Sequence, residues 1–177
     1  MRKWIILLGL IPILAVFNYA IYDKQKLIEQ GEAILLQLAP ADPRSIMQGD
    51  YMRLRYQASI DATKWLKNAK KSAGEAWTAP SSDLLVLVLD EQKKARFNRF
   101  FTAADTLGPN ERLLSFAYAK RWGTADVKIH PDSFFFQEGK ATAFQIARFG
   151  MMRLHSNGDH LLVGLADEAG IEINPRP

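Results

Sequence analysis

Nineteen consecutive positions without a charge, Trp4 to Tyr22, constrain this chain more than any other feature. At 1.5 Å of rise per residue such a helix spans about 28 Å, close to the hydrocarbon thickness of a bilayer. Arg2 and Lys3 precede it and Asp23 follows it. A secretory signal peptide has a shorter apolar region and a small-x-small exit. The exits available here, Ala15-Val16-Phe17 and Asn18-Tyr19-Ala20, fit that rule poorly. The reading is therefore an uncleaved anchor over residues 4–22, with Pro12 as a tolerated kink and Trp4, Tyr19 and Tyr22 at the two interfaces. The short basic N-terminal tail favours a cytoplasmic N-terminus. Lys24 and Lys26 on the far side weaken that charge argument.

The remaining chain is long enough for one folded domain with its own core. The expected division is an anchor helix with its extension over 1–30 and a β-rich domain over 31–177. Removing Arg2 and Lys3 from the 23 Lys and Arg leaves 21 basic against 19 acidic residues. Only Lys64, Lys67, Lys70 and Lys71 cluster, and they read as a solvated helix face. A nucleic-acid binder needs a basic stripe interleaved with aromatics, so that class is set aside. The chain has no cysteine, which excludes disulfides, thiol catalysis and Cys-ligated metals.

Residue patterns give the elements. The first helix runs on to about Gln30 and stops at Gly31. Glu32–Leu38 reads as a strand. Tyr51–Ile60 alternates, with Met52, Leu54, Tyr56, Ala58 and Ile60 inward and Arg53 and Arg55 outward, which predicts a half-buried strand. A short surface helix follows to Ser72, with Trp65 and Leu66 inward, and then a loop to Ser82. Leu84–Leu89 is apolar throughout and predicts a strand covered on both faces. Ala95–Thr102 and Arg112–Lys120 are further strands, and Val127–Ile129 and Phe134–Phe136 are short extended pieces. Gly139–Phe149 is predicted as a helix with Gly150 at its end. Asn157-Gly158 predicts a two-residue hairpin turn that pairs His155 with His160, Leu154 with Leu161 and Met152 with Val163. Leu84–Asp90 and Leu161–Asp167 echo each other as apolar strands ending in an acidic turn. The fold class is α+β, mainly β: an N-terminal transmembrane helix, then a mostly antiparallel sheet or barrel-like domain with one or two short helices.

Gly49-Asp50-Tyr51-Met52-Arg53-Leu54-Arg55-Tyr56, preceded by Asp42-Pro43-Arg44, resembles the GDYXXLXY family of bacterial proteins. All five defining positions match: Gly49, Asp50, Tyr51, Leu54 and Tyr56. Phe134–Gly139 resembles the family's second segment, Tyr/Phe-Phe-x-x-Glu-Gly. The resemblance implies membrane-anchored proteins whose genes often adjoin those of multi-pass membrane proteins, and hence a partner of that kind. It implies no chemistry.

The candidate site is accordingly Asp42, Arg44, Gly49, Asp50, Tyr51, Leu54, Tyr56 and Glu138. One reading is a staple: Arg44 and Asp50 fix the loop and Tyr56 packs inward. The other is a polar pocket of Asp42, Arg44, Asp50 and Tyr51, joined by Glu138. His155 and His160 are cross-strand neighbours that could take a metal only with a third ligand, for which Asp159 in the turn is the candidate; the preferred reading is a solvated pair. Ser45 has no lysine near it in sequence and the chain has no Gly-x-Ser-x-Gly elbow, so a serine nucleophile is not supported. No metal or cofactor is expected. The functional expectation is a non-enzymatic accessory or interaction protein of the bacterial inner membrane, single-pass, with its domain in the periplasm and a multi-pass partner. An envelope hydrolase or a small-ligand sensor working around Asp50 is the alternative.

Overall fold

The computed structural model describes residues 2–40, 51–73, 80, 82–121 and 124–174, and within them leaves aside the side chains of 2–9, 73, 120–121 and 124–125. Helix α1 covers Arg2–Gln30 with Pro12 inside it. Among the described residues no helix is long and apolar enough to cross a membrane. The span expected over Trp4–Tyr22 is therefore not established by the fold. The helix ends at Gly31, and the backbone there admits only glycine. The Gly31 N–H bonds the Leu27 carbonyl at 2.9 Å, and a Cβ on Gly31 would lie 2.3 Å from that oxygen.

The body is α+β, built mostly of strands around a mixed sheet. β1 (Glu32–Gln37), β3 (Leu84–Leu89), β4 (Lys94–Phe100), β5 (Glu111–Ser115), β9 (Phe149–Leu154) and β10 (His160–Ala166) form six strands in the order β10-β9-β1-β4-β3-β5. Every pairing is antiparallel except β1 with β4. The sheet is open by strand pairing, yet its outer strands approach at one corner. There the Ser115 N–H donates to the Gly158 carbonyl at 2.9 Å, across from the β9–β10 turn to the end of β5. The barrel-like alternative is met only at that corner.

One face of the sheet carries Ile34, Leu36, Leu85, Leu87, Leu114, Met152 and Leu165, all essentially inaccessible. Helix α2 (Gln57–Ala73) packs there with Ala58, Ala62 and Leu66, spaced one helical turn apart. Trp65 stays half-exposed, although its ring lies 5.2 Å from that of Phe100. Two short ribbons close the core: β2 (Tyr51–Arg53) with β8 (Ser133–Phe135), and β6 (Ala117–Arg121) with β7 (Thr124–Lys128). The opposite sheet face receives the end of α1, where Leu27 is buried and Arg153 donates to the Gly31 carbonyl at 3.1 Å.

Several expected elements are corrected. The strand predicted over Tyr51–Ile60 ends at Arg53, and α2 begins at Gln57. Ala58, Ala62 and Leu66 fit both periods, and Lys64, which alternation would turn inward, is exposed as only the helix allows. The strand predicted over Arg112–Lys120 breaks at Phe116, whose N–H leaves the sheet for the Asp83 carbonyl at 2.9 Å. The helix predicted over Gly139–Phe149 is a 3-10 turn, Ala141–Ile146, and Phe149 and Gly150 belong to β9. Gly150 is closely approached: a Cβ there would meet the Tyr56 and Leu162 side chains at 3.2 Å and push them back by a few tenths of an ångström. The hairpin register is shifted by one. Leu154 pairs with His160 and Met152 with Leu162, and a bulge follows before Gly164. A two-residue type I′ turn needs φ > 0 at both central positions, and only Gly158 has it, at 94°. The His155 N–H therefore bonds the Asp159 carbonyl at 2.8 Å around a longer loop. The loop expected over Ala73–Ser82 lies largely outside the described residues.

Candidate functional site

Asp42, Arg44, Gly49 and Asp50 lie outside the described residues, as does Ser45. Tyr51, Leu54, Tyr56 and Glu138 are described, and the first three converge on one feature. The two segments singled out in the sequence, Gly49–Tyr56 and Phe134–Gly139, are neighbours in space. β2 and β8 pair antiparallel with Tyr51 opposite Phe135, Met52 opposite Phe134 and Arg53 opposite Ser133. Period-two alternation sends Met52 and Phe134 to the core, where Phe134 and Phe136 each lie 5.3 Å from Phe144. It sends Tyr51 and Phe135 to the other side of the ribbon, where their rings meet at 5.7 Å. Phe135 is 73% exposed, so the Phe134–Phe136 run is only partly core.

Beyond β2 the chain grips the segment before β8. Three consecutive carbonyls are held from two sides, by the 54–56 segment and by β10. The His130 carbonyl takes the Nε2 of His160 at 2.6 Å. The Pro131 carbonyl accepts the Tyr56 hydroxyl at 2.8 Å, and the Asp132 carbonyl accepts the Leu54 N–H at 2.8 Å. Tyr56 is 1% exposed, and burial, then the nearby Asp132 carboxylate, pushes its phenol far above the ordinary tyrosine range. It stays neutral and can only serve as a hydrogen-bond group. Its ring also packs against Gly150, which ties the clamp to β9. Two of the motif's five positions, Leu54 and Tyr56, are thus core residues whose polar groups organise a neighbouring loop.

The remaining candidates separate. Glu138 is exposed and has no ion-pair partner among the described residues. His155 and His160 are not the expected solvated pair. His155 sits in the turn, while His160 pairs with Leu154 and reaches Ser115 Oγ through Nδ1 at 3.3 Å. Nε2 donates to the His130 carbonyl, and Nδ1 lies 3.3 Å from both Ser115 Oγ and the Gly158 carbonyl. This contact joins β10, β5 and the 130–132 segment at the corner where the sheet closes. Among the described residues no group of His, Asp or Glu is arranged to hold a metal.

Sequence reasoning missed one feature beside the motif, a cleft of about 360 Å³ between β2, the end of β1 and the segment leading into β9. Its signal was present: Arg53 and Arg55 alternate with buried Leu54 and Tyr56, so they share a face.

These observations define an α+β protein on a mixed sheet whose marked ribbon clamps a second segment against the core. The chain belongs to the GDYXXLXY family, described as GDYXXLXY protein, whose pattern matches residues 13–165. No curated protein and no solved structure matches the chain.

Proposed function

We propose that this chain is a single-pass protein of the bacterial inner membrane, with its N-terminus in the cytoplasm and its body in the periplasm. We propose further that it acts there as an accessory or interaction protein beside a multi-pass membrane partner. One observation carries the reading. From Leu10 to Tyr22 the large apolar side chains of α1 are each between 45% and 73% exposed, whereas Leu27, one turn further on, is packed into the body. Monomeric soluble proteins rarely leave so long an apolar surface uncovered, and lipid covers it without a protein partner. The one polar side chain within that stretch, Asn18, satisfies itself by donating to the Leu14 carbonyl at 2.8 Å, as a polar group in hydrocarbon must. A non-catalytic role is supported by Leu54 and Tyr56, which are committed to the clamp.

The test is made in the native membrane. The chain should stay in the pellet through alkaline carbonate extraction. A cysteine placed in the exposed β9–β10 turn should react with an impermeant maleimide only from the periplasmic side. Crosslinking should recover a multi-pass protein. A carbonate-soluble chain or a cytosolic turn would remove the reading, and native particles holding this chain alone would remove its partner half.

A further inference from the structure

The cleft beside the motif has a specific chemistry. Its floor is apolar, made by Leu38, Met52, Leu54 and Phe144, each buried in the core. Its rim carries Arg53, Arg55 and Arg148, all exposed. The backbone fixes their arrangement. The Leu38 N–H donates to the Arg148 carbonyl at 2.8 Å, and the Ala39 N–H donates to the Arg55 carbonyl at 2.7 Å. The extension of β1 thus runs between the two arginine-bearing segments, which places their backbones about 10 Å apart by strand spacing. Arg53 and Arg55 sit two residues apart on the same side of their chain.

Two arginines elsewhere are paired with carboxylates, while Arg96 and Arg153 have no carboxylate partner among the described residues. Arg99 meets Glu111 and Asp105, and Arg112 meets Glu32. Among the described residues no carboxylate pairs with Arg53, Arg55 or Arg148. Arg148 turns only one Nη to the carbonyl of Ala147, at 3.0 Å. Three like charges around one cleft repel, and an anion bound among them would relieve that repulsion. Guanidinium forks match phosphate oxygens, and three forks supply more donors than one carboxylate can accept. The apolar floor adds a demand for a non-polar group next to the anion, and the volume suits a small molecule.

We propose that this cleft binds a phosphate group carried on a small apolar body. The proposal stands apart from the membrane anchor, because every residue it uses lies on the body. Titration calorimetry of the full chain in a neutral maltoside detergent, with phenyl phosphate as the probe, tests it. We expect one saturable site, with inorganic phosphate bound roughly tenfold more weakly for lack of the ring. Arg55→Gln and Arg148→Gln should each weaken phenyl phosphate about tenfold, and Arg→Lys at the same positions should recover only part of that loss. Phe144→Leu should weaken phenyl phosphate and leave inorganic phosphate unchanged. Unaltered circular dichroism of the exposed arginine variants shows that the fold is kept. Absence of saturable binding, equal affinity in the Arg→Gln variants, or benzoate bound more tightly than phenyl phosphate would overturn the proposal. Displacement of the probe by phosphatidic acid in phosphatidylcholine nanodiscs supports it with a lipid head group as the source. Displacement by soluble phosphate monoesters alone supports it with a free ligand, and displacement by neither counts against it.

Discussion

Tyr56 joins burial to a single directed hydrogen bond. Replacing it with Phe keeps the ring against Gly150 but leaves the Pro131 carbonyl without its donor. An unsatisfied part-buried carbonyl costs about 1–3 kcal/mol, and urea unfolding of Tyr56→Phe should show a loss in that range with an unchanged slope. A wild-type midpoint would mean that the bond does not hold the 130–132 segment. Lys93 makes the opposite case. It is the one described non-glycine residue with positive φ, at 59°. It sits in the turn after β3 where Gly170, φ 81°, sits in the turn after β10. The two turns share their chemistry. Asp90 Oδ1 accepts the N–H groups of Gln92 and Lys94, and Asp167 Oδ1 accepts those of Ala169 and Ile171. The echo between Leu84–Asp90 and Leu161–Asp167 is therefore matched turn chemistry. Lys93→Gly should stabilise the protein by about 0.5–1 kcal/mol, the left-handed strain relieved less the added chain entropy. A lower denaturation midpoint for that variant would contradict this.

At the scale of elements, α2 seals the edge of β7. Ser59 and Thr63, one turn apart on the helix, hold both backbone groups of Val127. Thr63 Oγ1 accepts the Val127 N–H at 2.9 Å, and the Ser59 hydroxyl donates to the Val127 carbonyl. The helix thus satisfies a strand edge that would otherwise offer unpaired groups. Replacing both residues with Ala should cost about 2 kcal/mol, taking the net worth of two hydrogen bonds. Hydrogen exchange at Val127 should rise before that of β3. Val127 protection equal to wild type would show that the helix does not seal this edge. Met52, Leu54 and Tyr56 were legible as a set because they share one period-two face. The helix after the motif was legible, but its start at Gln57 rather than Ile60 was not, because Ala58 and Ile60 serve either period.

The whole molecule is also held by charge across its surface. Glu111 accepts from Arg99 and from the Gly108 N–H, and these hold its carboxyl at about 2, against the ordinary 4.5. Glu32 is likewise lowered, by its bond to Arg112 across the sheet. A carboxyl lowered in the folded state adds stability above its unfolded value and loses it as pH falls through the folded one. Stability should therefore decline between about pH 4.5 and pH 2. Glu111→Gln should flatten that limb while leaving the neutral-pH fold intact, as thermal midpoints across the range would show. An acid limb as steep as wild type would assign it elsewhere.

The sequence alone determined the family, the apolar first segment, the α+β class and the buried face of the motif strand. Each of these is written in residue type and local period, which act over a few neighbours. Contacts between distant segments decided the rest. The pairing of β2 with β8, the three carbonyls gripped by Leu54, Tyr56 and His160, and the sheet corner at Ser115 all join residues that lie far apart in the chain. The one-residue shift of the last hairpin belongs here too, because the bulge after Leu162 is what returns Leu165 to the core. Local propensity is silent on which strand meets which. Burial of one common core chooses among the pairings that local pattern leaves open.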